Sequence, residues 1–238
     1  MAKVLSNNIR AYLDAYELVL GGREISVRSE VDPLDQTDLN DSAPTHLVGL
    51  QTAGLDFSGL WDDSATGAQA ALAALLGSAT TRIATVHYGS TIGDRVALLQ
   101  VTARDYRSEP RHAELVPLKG EFVGQAAAEW ARVLYPKTTV TATTNGGSHD
   151  RGGGAAASLV WAYHIIAFSA TGGNARWQLI LQTDDNSGFT TPATLETVNI
   201  TAVGAARRSV GASAERYVRL VPTLDATSGS LTVAAVSS

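Results

Sequence analysis

Apolar and polar residues alternate along much of the chain, and the alternation reads as β-strand far more often than as helix. Ile9-Arg10-Ala11-Tyr12-Leu13 is a short β-compatible run, followed by Tyr16 to Leu20. A Gly21-Gly22 turn signal then precedes Glu24-Ile25-Ser26-Val27-Arg28, which has period two and so one buried and one wet face. His46 to Leu50 and Gly54 to Leu60 predict two further strands. Thr81 to Tyr88, Arg95 to Arg104 and Gly120 to Val123 predict three more. One helix interrupts them over 65–76. Asp62, Asp63 and Ser64 supply capping oxygens and favourable charge at its start, and Gly77 suits the left-handed position past its end. Leu72, Leu75 and Leu76 share a face, so this helix is expected to lie on a sheet.

Beyond Gln125 the pattern changes. Ala126 to Leu134 predicts a short connecting helix, Thr138 to Thr144 an extended Thr-rich segment, and Asn145 to Gly154 a flexible Gly-rich linker. Five strands are expected after it: Leu159 to Ser169, Trp177 to Thr183, Leu195 to Ala202, Arg216 to Val221 and Ser230 to Val236. Turn residues between them give the spacing of a small β-sandwich or jelly roll. The fold class is therefore mainly β. A first β domain over 1–125 carries the helix, residues 126–154 connect, and a second all-β domain fills 155–238.

Composition narrows the classes. With 45% hydrophobic and 17% charged residues, the chain of 238 residues is globular, and the absence of cysteine excludes disulfides and thiolate sites. The longest apolar segment, Ala68 to Leu76, is well short of the about 18 residues of a membrane helix. The first residues carry no signal-peptide pattern, so cytoplasmic synthesis and no membrane partner are expected. Net charge is −5, and it is unevenly placed: no Lys or Arg falls between Arg28 and Arg82, a window holding Glu30, Asp32, Asp35, Asp38, Asp41, Asp56, Asp62 and Asp63. That stretch is either a solvated acidic loop, or a surface that repels polyanions or meets a basic partner. It is unsuited to gripping DNA phosphates.

No catalytic constellation emerges. The five histidines, His46, His87, His112, His149 and His164, are scattered singly without metal-ligand spacing. Gly89 to Gly93 has Thr91 where a nucleophile elbow has its nucleophile, and reads as a hairpin. Asp184-Asp185-Asn186-Ser187-Gly188 offers oxygens to Ca²⁺ but reads first as a turn, and Asn145 to Gly154 lacks the ending of a phosphate-binding loop. Trp161 and Trp177 fit a sandwich core better than a sugar platform. No enzyme activity, cofactor or metal is expected.

Four stations follow one another in the first domain: Ala11 to Leu18, Leu34-Asp35-Gln36-Thr37-Asp38-Leu39-Asn40-Asp41, His46 to Leu50, and Leu55-Asp56-Phe57-Ser58-Gly59-Leu60-Trp61-Asp62. The 65–76 helix and Val86-His87-Tyr88-Gly89 with Gly93-Asp94-Arg95 fit the same order. By this order residues 5–125 bear a resemblance to the major tail proteins of long-tailed bacteriophages. It implies a tail-tube-type β-sandwich with a flanking helix, whose copies form stacked, hexameric rings around a negatively lined conduit for the genome. It also implies a virion protein assembled in the host cytoplasm. Its partners would be itself and other tail proteins (tape measure, terminator and distal tail), and DNA would pass without specific binding. Residues 29–45 would then be the inter-ring stacking loop, and Glu30, Asp32, Asp35, Asp38 and Asp41 its stacking or lumen residues. The second domain is similar to β-sandwich modules of phage structural proteins and of sugar-binding domains, which implies an outward decoration. A capsid decoration or receptor- or sugar-binding module of a virion is the other reading.

Overall fold

The structure, a computed structural model, describes residues 9–18, 22–37, 43, 46–47, 49–60, 72–73, 80–108, 116–153, 158–211 and 214–238. In chain order the strands of the first half are β1 (Arg10–Leu13), β2 (Tyr16–Glu17), β3 (Gly22–Val31), β4 (Leu34–Asp35), β5 (His46–Leu47), β6 (Gln51–Leu60), β7 (Arg82–His87), β8 (Arg95–Ser108) and β9 (Pro117–Gly124). Those of the second half are β10 (Glu129–Val140), β11 (His149–Asp150), β12 (Leu159–Thr171), β13 (Arg176–Asp184), β14 (Ala193–Ile200), β15 (Gly204–Val210), β16 (Tyr217–Asp225) and β17 (Ser228–Ser237). All the pairings are antiparallel, and the chain is mainly β as its alternation predicts. Of the expected 65–76 helix, Leu72 and Ala73 are helical and Leu72 is buried; the rest lies outside the described residues.

One sheet of eleven strands runs through both halves in the order β15-β12-β17-β10-β8-β7-β1-β2, with β9, β6 and β3 branching from β8. The branch exists because β8 is long. Its start pairs with β10 (Arg95↔Arg132 to Leu98↔Glu129), and from Val101 on it pairs with β9, through a register shift near Arg104. The four strands β11-β16-β13-β14 form a second sheet.

Three apolar clusters result. In the first half Leu13, Val86, Leu99 and Val101 pack against Leu55, Phe57, Leu118 and Phe122, with Leu72 among them. In the second half Trp161, Ile165, Leu231 and Val233 face Trp177, Leu179, Leu181 and Leu220 across a sandwich. The tryptophans are core residues whose indole N–H groups are satisfied, by Glu196 at 2.8 Å and by the Ser169 carbonyl at 3.1 Å. The third cluster, Ile83, Val96, Leu98, Ala131, Val133, Ala162 and Val236, draws on strands from both sides of residues 126–154. The large sheet curls enough for His164 on β12 to hydrogen bond Thr85 on β7.

Two expectations change. The connecting helix over 126–134 is instead the start of β10. From Trp130 the burial alternates, with Ala131 and Val133 inward and Trp130 and Arg132 outward. Two open sheet edges, β8 and β17, flank it, and ladder pairing on both outweighs the helix propensity of its alanines. Pro136 falls at a register shift in this strand, where its missing N–H is tolerated. The segment expected as a flexible linker is also fixed over its described part. Thr144 N–H donates to the Pro222 carbonyl at 3.1 Å, Gly146 N–H to Leu220 at 3.0 Å, and Arg151 N–H to Arg216 at 3.0 Å, while β11 pairs with β16.

Candidate assembly surface

β3 and β6 pair along their whole length, from Gly22↔Gly59 to Val31↔Gln51. β9 covers β6 only from Gly54 to Leu60. Past Gly54 the two strands therefore run on as a two-stranded ribbon. Asp32 N–H donates to the Leu50 carbonyl at 3.0 Å, and β4 pairs with β5 through Leu34↔Leu47 and Asp35↔His46. Gly49 permits this continuation, because a Cβ there would collide with the Asp32 carbonyl oxygen.

Among the described residues the exposed large apolar side chains are Val31, Leu34, Leu47, Leu50, Val123, Trp130 and Val203. The first four sit on this arm, and Leu50 is 83% exposed. A two-stranded ribbon is marginal in water by itself, and apolar side chains grouped on one mark a contact surface. The other edge of β3 is unpaired among the described strands and offers backbone N–H and C=O groups for strand addition.

Of the acidic residues expected to matter, Glu30, Asp32 and Asp35 lie exposed on the same arm, and Asp38 and Asp41 lie outside the described residues. Glu30 is 3.9 Å from Arg28. Asp35 accepts from Thr37 N–H at 2.8 Å and from its hydroxyl at 2.5 Å. These two hydrogen bonds hold its carboxyl below the usual carboxylate range and shape the turn after β4. Three residues of the acidic run in the sequence, Glu30, Asp32 and Asp35, thus sit on the arm, and Asp56 sits on the body. The arm's apolar half was overlooked because Leu34, Leu47 and Leu50 resemble core residues until their exposure is known.

Where the ribbon joins the body, the outer face of β8-β9-β6-β3 carries interleaved charges. Arg28 bridges Asp56 at 2.8 Å and Glu121 at 3.3 Å, Arg104 reaches Glu121 at 3.0 Å, and Arg107 reaches Asp105 at 2.6 Å. Glu24, Asp56, Asp105, Arg107, Lys119 and Glu121 line an open cleft of about 480 Å³. The face is mixed in sign, unlike the arm. Among the described residues no cluster of His, Asp or Glu is placed to hold a metal ion. The Asp184 carboxylate is a turn element, accepting the N–H groups of Asn186 and Thr191, each at 2.9 Å.

No protein-family model matches the sequence, and no curated protein matches it. Solved structures do show similarity. A chain from the virion of a native gene transfer agent particle is 13% identical, with a TM-score of 0.46 over 54% of this chain and 98% of that one. A chain from the tail of an empty gene transfer agent particle with C6 symmetry is 13% identical, with a TM-score of 0.40 over 46% and 81%. SPP1 Dit, described as a paradigm of the hub adsorption apparatus in phages infecting Gram-positive hosts, is 11% identical, with a TM-score of 0.37 over 97% and 99%. With every TM-score below 0.5, the functional reading stands on the chain's own residues.

Proposed function

We propose that this chain is a structural subunit of a phage tail that joins copies of itself into rings, six to a ring, which stack around a conduit for the genome. The arm carries the reading. It places four exposed apolar side chains, and the acidic Glu30, Asp32 and Asp35, on a ribbon that extends past the sheet it grows from. Burial of those side chains against a neighbouring subunit supplies the driving force, and the acidic groups select a basic surface on that neighbour. The resemblance of residues 5–125 to major tail proteins, which implies stacking contacts over 29–45, supports this reading. The proposal assigns the chain no catalytic step, and gives the second sandwich an outward position.

Electron microscopy and sedimentation of the purified full chain test it. Rings or tubes are expected from the wild type, and Leu34→Asp with Leu50→Asp is expected to give dispersed subunits of unchanged melting temperature. A wild-type chain that stays monomeric across concentration and salt would overturn the proposal.

A further inference from the structure

Trp130 differs from the buried Trp161 and Trp177 in being 62% exposed. It projects from β10, and its ring lies 6.0 Å from that of Tyr88, tilted by 37°. Two clefts meet at it. One of about 390 Å³ is lined by Tyr88, Asp94, Arg95, Trp130 and Arg132. The other, of about 640 Å³, shares Trp130 and Arg132 and adds Ser148, His149 and Arg151.

Asp94 and Asp150 line these clefts too, but the arginines there are not ion-paired among the described residues. Arginines elsewhere in the described residues are mostly ion-paired, as Arg10, Arg28, Arg176, Arg207 and Arg216 are. Arg95, Arg132 and Arg151 have no carboxylate within ion-pair distance among the described residues, although the chain is acidic overall. Arg132 donates only to the Gly93 carbonyl at 3.1 Å, and Arg151 to the Ala214 carbonyl at 3.4 Å. Asp150, the nearest acidic neighbour in sequence, is already taken by both arms of the Arg216 fork, at 3.0 and 2.7 Å. His149 is only 9% exposed, and its ring makes no hydrogen bond among the described residues. Burial, with Arg132 and Arg151 beside it, pushes its pKa down.

We propose that the double cleft binds an acidic saccharide, with a pyranose ring lying on the Trp130–Tyr88 surface and its carboxylate or phosphate held by Arg132 and Arg151. The exposed indole gives a flat apolar face for the C–H side of a sugar ring, and the tilted Tyr88 ring stands beside it as a wall. Guanidinium forks match carboxylate and phosphate in geometry and charge. His149 and Ser148 offer polar atoms to hydroxyls. Single-stranded nucleic acid would need a track of cations following successive phosphates. Here the cations gather about one aromatic pair, with Asp94 and Asp150 on the rim.

The test is calorimetry and tryptophan fluorescence on the full chain with four probes: a glucuronate-containing tetrasaccharide, a glucose phosphate, uncharged cellotetraose and oligothymidylate. Binding of an acidic sugar at least about tenfold tighter than cellotetraose is expected, and the preferred acidic probe names the anion. Trp130→Ala, and Arg132→Gln with Arg151→Gln, should each weaken it about tenfold or more without lowering the melting temperature. Equal binding of cellotetraose, tighter binding of oligothymidylate, unchanged affinity in the variants, or no binding of any probe would each overturn the proposal. No residue here belongs to the arm, so this result is independent of whether the chain assembles.

Discussion

His87 and His164 share one hydroxyl: their Nε2 atoms lie 3.1 and 3.0 Å from Thr85 Oγ1. The protons can be placed from the far side of His164, where Nδ1 is 2.7 Å from the Asp14 carbonyl oxygen. That oxygen only accepts, so Nδ1 carries the proton and Nε2 is left as an acceptor. Thr85 must donate to His164, and His87 in turn donates its Nε2–H to Thr85. The Tyr12 ring covers both imidazoles, at 5.0 and 5.5 Å between centroids. This neutral chain of hydrogen bonds ties β7 and the β1–β2 turn to β12, and so joins the two halves.

Acid should break it. Burial, then the neighbouring His164 and Arg10, pushes the His87 pKa from 6.5 to about 3. Burial pushes His164 from 6.5 to about 4, against a smaller opposing effect of the Asp14 carbonyl. The unfolded chain takes up these protons below about pH 6.5, while the folded chain refuses them until about pH 4 and pH 3. Stability from these groups is full above pH 6.5 and is lost as pH falls through that window. The melting temperature should drop steeply between pH 6.5 and 4, and His164→Gln should flatten the drop. Equal melting temperatures for the wild type at pH 7 and 4.5 would refute the assignment.

Thr85→Val keeps the volume and removes the hydroxyl, leaving the His164 acceptor and the His87 donor unpaired in the core. A loss of about 1–3 kcal/mol in urea unfolding at pH 7 is expected, with most of it recovered in Thr85→Ser.

Glu17 is only 2% exposed, and Arg10 and Lys137 hold its carboxylate at 2.7 and 2.5 Å. Lys137→Ala should destabilise the fold by less than the ~3–5 kcal/mol of a fully buried broken pair, because Lys137 keeps partial solvent contact. Glu17→Ala should be the milder change, since it removes the buried charge itself and Arg10 and Lys137, 47% and 32% exposed, can turn to water. Urea denaturation of both variants gives the order.

Gly146→Ala should destabilise by about 1–3 kcal/mol, because the new Cβ would press on the Leu220 carbonyl and the Tyr135 ring. Gly153→Ala, with nothing within 4 Å of its Cβ position, should be neutral in the same thermal melt. A neutral Gly146→Ala would mean that this segment is loosely held.

Strands with a strong pattern of their own were legible in the sequence. Trp177 to Thr183 alternates because one sheet face meets a core, while Ile83 to His87 and Leu231 to Val236 are buried on both faces and stand out as short apolar and β-branched runs. Strands defined by their neighbours were not. The opening of β10 is alanine-rich, and β15 consists of Gly204-Ala205-Ala206-Arg207-Arg208-Ser209-Val210, which has little β propensity and forms by pairing with β12. Part of the acidic run pointed to the arm, since charge excess is a property of the sequence alone. The Trp130 clefts gave no such signal. Tyr88, Trp130 and Arg132 are drawn together because β7 and β10 both pair with β8, and Arg151 is brought in from the second sheet beside β16, and no spacing along the chain encodes that.

The position of β17 has a consequence for synthesis on the ribosome. It lies between β10 and β12 and is bonded to both, and both of these strands are made before it and must wait for it. Until Ser228–Ser237 leaves the exit tunnel, two long strands present bare edges and the third apolar cluster lacks Val236. A chain cut short upstream would therefore expose sticky edges to chaperones and proteases. Insertion of this one strand closes both edges in a single step.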